Sequence, residues 1–265
     1  MNLRNYKHSS QLLLAVAAIL LLAAHTWAQS GSAVTVTTPD TAQIVQAIAH
    51  HDQSQAQALE RYHALRHYEV EYRGFFKNIT AKMDVELDYD ATTGKSFRIV
   101  SQSGSRTLCE KVIKRALDSE KDAAQDHGAH ALTAANYKFQ MLGSETLVGR
   151  PTYVLQVEPL TDSPYLYRGK IWVDAADGAV SKMEVQPAKN PSFWISQTLV
   201  HQTNSRVGAF WLPQQNRSET KVRIGGKAVL TINYASYQIL QAHSPQSPGE
   251  NSMQPEGETL QASVR

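Results

Sequence analysis

Two histidines, His63 and His67, stand four residues apart in the segment HALRH. On a helix this spacing places two side chains on one face, where both can bind one metal ion. The glutamate that follows the first histidine in the zinc protease signature is missing, and His67 begins a run of strand-like alternation. We therefore interpret both as surface histidines, and the sequence predicts neither a metal site nor a cofactor.

Cys109 is a candidate nucleophile and, as the single cysteine of the chain, has no partner for an internal disulfide. It lies on or beside the apolar stripe of a predicted helix, which favours a buried small hydrophobic residue over a reactive thiol. The motifs G-x-S-x-G and G-x-G-x-x-G and the P-loop do not occur in the sequence. Nucleophilic catalysis and phosphate binding therefore have no recognisable motif here.

The segment MDVELDYD carries carboxylates at every second position. A strand points alternate side chains to one face, so these four groups share a face that has to be solvated. General acids with a raised pKa arise in buried surroundings instead. The four residues are Asp84, Glu86, Asp88 and Asp90. We predict a binding protein without catalysis, with an enzyme of dispersed active residues as the third-ranked alternative.

The N-terminus has the pattern of a secretory signal. Arg4 and Lys7 precede the apolar run LLLAVAAILLLAA, and the small residues Thr26 and Ala28 follow at signal-peptidase positions. The 13 apolar residues are fewer than the roughly 20 that a membrane-spanning helix needs. A cleaved signal peptide over residues 1–28 is therefore favoured over an uncleaved anchor, and we expect export to the periplasm.

The C-terminal residues 244–265 are rich in Ser, Pro, Gln, Glu and Gly and predict a disordered tail. A short linker over residues 29–39 then leaves one domain over residues 40–243. Without residues 1–28, the 26 Lys and Arg fall by two to 24, which equals the 24 Asp and Glu. This balance of charge argues against a nucleic-acid partner. We also expect the protein to be a monomer.

Helical spacing occurs in two places. Asp40 predicts an N-cap, and polar residues 51–55 interrupt the stripe that follows, so that one bent helix or two short ones fit. The apolar positions of this stripe are Ile44, Val45, Ile48, Leu59, Tyr62 and Leu65. A second amphipathic helix is predicted over residues 106–124. Its stripe is formed by Leu108, Val112, Ile113, Ala116 and Leu117.

From His67 onward the period changes to two, as in HYEVEYRG, MDVELDYD and KSFRIVSQSG, and further strand candidates follow the second helix. Short Gly-containing connectors indicate antiparallel hairpins. About ten strands with one apolar face each have to roll up or pack face to face. The fold class expected is mainly β (α+β), an unclosed antiparallel β-barrel of about ten strands covered by helices.

The apolar strand faces either close on one another as a core or line a groove for an apolar ligand. For the second case the strand candidates for ligand contact are Val85, Leu87, Ile99, Leu155, Ile171, Val173, Leu230 and Ile232. The candidates on the inserted helix, which would act as a lid, are Leu108, Val112 and Leu117.

Three strand and turn motifs resemble the LolA/LolB-like superfamily of periplasmic lipoprotein-sorting proteins. They are the G-x-I-W-V-D-type strand at residues 169–174, the hairpin at 175–185 and the F-W-L-P-type strand at 210–213. The resemblance implies a LolA-like half-barrel whose helices form a lid over a cavity for acyl chains. It also implies a lipid or lipoprotein acyl chain as cargo and a membrane-associated delivery partner.

The chain differs from this family in its long inserted helix and its polar tail. Anti-sigma regulators of envelope stress have a similar half-barrel. The alternative to a carrier or sensor of acyl chains is therefore a regulatory or structural envelope protein whose interior is filled by its own side chains.

Overall fold

The computed structural model describes residues 39–123, 131–163, 165–190, 195–223 and 225–243. The predicted signal peptide, the linker up to residue 38 and the predicted tail lie outside these residues. Their assignments therefore stay predictions. Within the described ranges, no helix is both long enough and apolar enough to cross a membrane.

Ten strands form one antiparallel sheet, with the order β3-β2-β1-β10-β9-β8-β7-β6-β5-β4. The strands are β1 Leu59–Arg73, β2 Asn78–Asp90, β3 Gly94–Gly104, β4 Tyr137–Leu147, β5 Arg150–Pro159, β6 Tyr167–Asp174, β7 Val180–Pro187, β8 Ile195–Val207, β9 Phe210–Val222 and β10 Gly226–Ala242. The edge strands β3 and β4 stand at opposite ends of this order, so the barrel is not closed. The fold class predicted from the sequence is confirmed.

Helix α1, Thr41–Ala58, begins at the predicted N-cap. The Asp40 carboxylate accepts a hydrogen bond from the Gln43 backbone N–H at 2.8 Å, and the Gln43 side chain accepts one from the Asp40 N–H at 3.0 Å. This reciprocal capping satisfies two of the donors that a helix start leaves open. The helix buries Ile44 and Ile48 against strands β4 to β7.

The structure corrects the predicted course of the chain after α1. The helix continues through polar residues 51–55, and strand β1 starts at Leu59, eight residues before the predicted start at His67. Leu59, Tyr62 and Leu65 are therefore strand residues and not part of a helix. The inward positions in this stretch are occupied by Ala64 and Arg66. Because neither is a large apolar residue, the alternation with a period of two is hard to recognise in the sequence.

The second helical region, predicted as one helix over residues 106–124, consists of three consecutive pieces. These are α2 Arg106–Leu108, a π-helical turn Cys109–Ile113 and α3 Lys114–Ala123. They pack on β1, β2 and β10, and Cys109 is buried there with an exposed fraction of 3%. Below, residues 105–123 are called the inserted segment.

The convex face of β2 carries the four predicted carboxylates, and each of them pairs with a basic side chain. Asp84 contacts His67 at 2.7 Å, Asp88 contacts His63 at 2.8 Å, Asp90 contacts Arg61 at 3.3 Å, and Glu86 contacts Arg98. Hydrogen bonds from Ser101 and His67 lower the pKa of Asp84. Both histidines of HALRH thus lie on an outer face as partners of carboxylates.

The β6–β7 hairpin packs closely on α1 at Gly178. This glycine has φ +69°, and an added Cβ would lie 2.7 Å from the backbone oxygen of Ala47. Gly208, in the β8–β9 turn, has a similar φ of +62°, but an added Cβ would have no atom within 4 Å. The two glycines therefore share the backbone conformation and differ in the contact with α1.

We expect Gly208→Ala to lower the free energy of unfolding by about 1–2 kcal/mol, the cost of a left-handed conformation for a residue with a Cβ. Gly178→Ala has the same cost and in addition a steric clash of about 1–3 kcal/mol. Urea unfolding of both variants measures the difference. Equal losses would contradict the close packing of the hairpin on α1.

Candidate functional site

The concave face of the sheet is covered in two halves. Under the inserted segment lie Val85 and Ile232, with Leu230 partly buried, and the segment itself contributes Leu108, Leu117 and the partly buried Val112. Under α1 lie Leu155, Ile171 and Val173. The sequence candidates are thus distributed over two separate apolar clusters.

Two candidates lie apart from these clusters. Leu87 is fully buried in a third cluster, between the other two, with Tyr62 and Phe210. Ile99 is 41% exposed, although its cross-strand partner Val85 is fully buried. Cross-strand partners share a face, so Ile99 lies on the concave side, at the edge strand β3. The sequence pattern predicted the face on which Ile99 lies. Its exposure was not predicted, because it results from the position of β3 at the edge of the sheet.

Helix α1 is fixed to the sheet at its C-terminal end and near its middle. The Gln55 side chain accepts a hydrogen bond from the Trp211 backbone N–H at 2.8 Å and donates one to the Trp211 carbonyl at 3.0 Å. At Ala58 the helix passes directly into β1 without a loop. With the contact at Gly178, these connections make α1 a fixed cover.

The inserted segment is attached in a different way. It follows β3 and precedes β4 in sequence, and these are the two edge strands of the sheet. Lifting its helices from the concave face therefore breaks no hydrogen bond between strands. Its apolar stripe packs on the sheet through side chains such as Ile113 and Leu117. The segment is thus attached to the sheet without being part of it.

A buried ion pair fastens the inserted segment to the sheet. Arg66 of β1 has an exposed side-chain fraction of 2%, and Glu120 of α3 has one of 29%. The guanidinium donates from Nη1 to Oε2 at 2.6 Å and from Nη2 to Oε1 at 3.1 Å. Lys95 of β3 donates from Nζ to Oε1 of Glu120 at 2.7 Å. We call this arrangement the Arg66–Glu120 latch.

Aromatic rings surround the latch. The Arg66 guanidinium carbon lies 5.3 Å from the ring centroid of Phe97 and 4.9 Å from that of Tyr234. Arg66 also donates to the Tyr68 hydroxyl at 3.3 Å. Burial raises the pKa of Tyr62 to about 12 despite the nearby positive charge of Arg66. The rings keep water away from the pair and strengthen its electrostatics.

The charge state of the latch is determined by competing effects. Burial acts to raise the pKa of Glu120, but the hydrogen bond from Arg66 and the positive charge of Lys95 outweigh it and lower the pKa to about 2. The carboxylate is therefore ionised throughout the neutral range. The latch holds an anion against two cations, which is a geometry suited to carboxylates and phosphates.

The latch residues are not among the candidates predicted from the sequence. Counting by two from Tyr62 places Arg66 on the inner face, and counting three from Leu117 places Glu120 next to the apolar stripe. A charged residue at an inward strand position and one beside the apolar stripe of a helix could have indicated this ion pair. Within the described parts of the chain, no group of three or more His, Cys, Asp or Glu side chains could hold a metal ion.

No family model and no curated protein matches the chain. Solved structures do match. A DUF1329 family protein from Desulfovibrio piger is 10% identical, with a TM-score of 0.41 and coverage of 76% of this chain and 94% of that protein. A LolA superfamily protein from Nitrosomonas europaea is 11% identical, with a TM-score of 0.36 and coverage of 77% and 96%.

A domain from Vibrio parahaemolyticus that is named for outer membrane lipoprotein sorting is 12% identical. Its TM-score is 0.38, and the match covers 74% of this chain and 93% of that domain. The LolA superfamily, which the strand motifs resemble, is among the matches. All three likenesses concern the fold, so arguments about function have to come from the geometry of this chain.

Glu120→Gln keeps the size of the side chain and removes the charge of the latch. Because the folded-state pKa of about 2 lies below the ordinary value of 4.5, the stabilisation is present above pH 4.5 and is lost as the pH falls toward 2. We expect the variant to lower the free energy of unfolding by about 3 kcal/mol at pH 7, the low end for breaking a buried pair. Urea unfolding across this pH range should show that the difference in the free energy of unfolding between wild type and variant shrinks as the pH falls toward 2.

Glu110→Gln is the matched control on the same segment. Glu110 pairs with Lys114 at 2.7 Å on the surface, with exposed side-chain fractions of 44% and 37%. Such pairs contribute about 0–1 kcal/mol. If Glu120→Gln lowers the free energy of unfolding no more than Glu110→Gln does, the latch does not stabilise the closed form. The same conclusion follows if the loss caused by Glu120→Gln does not change with pH.

Proposed function

We propose that the protein is an exported, non-catalytic binding protein of the periplasm that takes up an acyl chain of a lipid or lipoprotein beneath the inserted segment. The observation that carries this proposal is the attachment of that segment. It buries an apolar stripe on the concave face, it lies in sequence between the two edge strands, and one of its described residues, Glu120, forms an ion pair with the buried Arg66. Such a cover can leave without loss of any strand.

The surface beneath the segment suits an acyl chain. Val70, Met83 and Val85 are fully buried there, beside Tyr68 and Ile232. If the segment lifts, a ligand chain of ten methylenes contributes about 8 kcal/mol by burial at this surface. Breaking a buried ion pair costs about 3–5 kcal/mol. Burial of the ligand chain thus acts against two costs, the opening of the latch and the exposure of the segment's own apolar stripe.

The latch also indicates the head of the ligand. Once Glu120 leaves, Arg66 and Lys95 would face the cavity as two uncompensated cations. Among the described polar atoms, Nε of Arg66 is buried without a hydrogen-bond partner even in the closed form. An anionic head would take over the place of the Glu120 carboxylate and use this donor too. The ligand class we propose is therefore an amphiphile with a carboxylate or phosphate head.

The second candidate is a regulatory or structural protein whose interior is filled permanently. It is favoured by the close packing of the three clusters, in which Ile48, Leu87 and Ile113 are each 0% exposed. Both candidates share the closed structure and differ only in whether the inserted segment opens. Amide exchange in that segment separates them.

For the carrier, we expect fast amide hydrogen exchange in residues 106–123 of the exported protein and slower exchange after addition of a fatty acid. Glu120→Gln should speed exchange in this segment and increase the uptake of a fluorescent fatty acid at limiting probe, because the open state becomes more populated. Hydrogen-exchange mass spectrometry and fluorescence titration provide the two measurements. Native mass spectrometry of the mild extract tests for co-purified lipid.

Glu110→Gln should leave both the exchange and the titration unchanged. Exchange in α1 should stay slow in all samples, since that helix is fixed. Slow exchange in residues 106–123 that does not respond to any fatty acid, together with the absence of probe uptake by Glu120→Gln, would refute the carrier and favour the permanently filled interior.

A further inference from the structure

The hairpin tip between β1 and β2 carries two adjacent aromatic side chains that project into solvent. Phe75 is 82% exposed and Phe76 is fully exposed, at 101%. Isolated surface hydrophobic residues are common, but two neighbouring phenyl rings at a protruding tip form an apolar patch that usually marks an interaction site. No role in the latch or the concave face accounts for them.

The neighbouring β9–β10 tip holds this hairpin in place. The Tyr72 hydroxyl donates a hydrogen bond to the Gly225 carbonyl. Gly226 has φ +115°, and a Cβ added there would lie 2.0 Å from the Arg73 carbonyl oxygen. The two tips therefore pack backbone to backbone, which only glycine permits. We call the two tips together, residues 71–78 and 219–227, the aromatic-basic tip.

A row of like charges crosses the strands at this tip. Arg73 of β1 lies directly opposite Lys227 of β10, and Lys227 lies directly opposite Lys221 of β9. Like charges in this position destabilise a sheet. Arg73 also pairs with Glu71 at 3.1 Å and Lys227 pairs with Glu219, so two carboxylates offset part of this repulsion. An anionic partner would offset the rest.

The charge balance of the aromatic-basic tip is strongly positive. Residues 71–78 and 219–227 contain five basic residues, adding Lys77 and Arg223 to the row, and two acidic residues, Glu71 and Glu219, for a net charge of +3. The exported chain as a whole has no net charge by the same counting, so the rest of it carries a net charge of −3 and the tip is a local concentration of positive charge. An open depression of about 640 Å³ lies between these groups. Its lining includes Arg73, Phe75, Ser196, Lys221, Arg223 and Lys227.

We propose that the aromatic-basic tip docks on the surface of an anionic lipid bilayer. Phe75 and Phe76 would enter the boundary between headgroups and acyl chains, and the surrounding cations would contact lipid phosphates. Lysine is depleted at protein–protein interfaces, whereas three of the five cations here are lysines, so the composition favours a membrane over a protein partner. This proposal does not depend on acyl-chain binding beneath the inserted segment.

The test is co-sedimentation of the exported form of the full chain with two kinds of vesicle. One kind contains phosphatidylcholine alone and the other contains phosphatidylcholine mixed with phosphatidylglycerol. We expect binding to the mixed vesicles that weakens as salt is added, because exposed charges are screened. Phe75→Ser/Phe76→Ser should reduce the partition coefficient about tenfold or more, since both rings lose their apolar contact.

Lys77→Gln/Lys221→Gln should reduce binding to the mixed vesicles severalfold and leave the weak binding to phosphatidylcholine unchanged. Val148→Asn is the matched apolar control. Val148 is 94% exposed at the β4–β5 turn, with φ +50°, which asparagine tolerates. It lies on the opposite rim, so this variant should bind like the wild type. All five substituted positions are exposed, and unchanged melting temperatures check that each variant is folded.

Failure of the wild type to bind mixed vesicles would overturn the proposal, as would equal binding by the double phenylalanine variant. Self-association that phosphatidylglycerol does not affect and that Phe75→Ser/Phe76→Ser abolishes would instead assign the tip to a second copy of the chain. Uptake of the fluorescent fatty acid should be the same in all these variants, so the two proposals succeed or fail separately.

Discussion

The apolar concave face of an unclosed sheet has to be covered, and this requirement determines the arrangement of everything else. A closed barrel of about eight strands has an interior just wide enough for its own side chains to fill. Here β3 and β4 remain apart, and two helical covers supply the missing apolar contacts. One cover is continuous with a paired strand and the other connects the two edges. The difference in attachment gives the two halves of the concave face different freedom to open.

A buried arginine on the concave face costs stability, because its charge loses contact with water. Replacing a buried ion pair by apolar residues often stabilises a protein, so pairs of this kind are weak evidence for stability as such. Arg66 would have been easier to accommodate as a leucine if permanent closure were the only demand. Its pairing with Glu120 adds to the apolar contacts of the closed form an ion pair whose carboxylate another anion would replace under the proposed function. The same charge that fastens the cover thus offers a route to its release.

Much of the sheet could be predicted because alternation is a local property. Val85, Leu155, Ile171 and Val173 are buried on the concave face as their spacing indicated. Arg66 could not be assigned in this way, because a charged side chain at an inward position is recognised only by its partner 54 residues away. Trp172 is a similar case. It alternates with the inward Ile171 and Val173, yet it is only 6% exposed, because Lys182 covers the ring at 4.3 Å.

The inserted segment covers the concave face with the predicted apolar stripe, and its role as a lid stays a prediction. Spacing places Leu108, Ile113 and Leu117 on one side of a helix, and it says nothing about which of two covers is fixed. That distinction rests on connectivity and on long-range contacts such as the one between Gln55 and Trp211. Exposure at Ile99 likewise depends on β3 being an edge, which no window of neighbouring residues reveals.

The inserted segment is bound to the sheet at both of its ends, through the end of β3 and the start of β4, which lie on the same rim. A cover tethered in this way never leaves the neighbourhood of its site, so Glu120 returns to Arg66 as an intramolecular competitor. Its effective concentration is in the millimolar range that short tethers produce. In the proposed carrier, an anionic ligand at Arg66 would therefore meet a competitor that dilution does not remove, and this competition would favour its release.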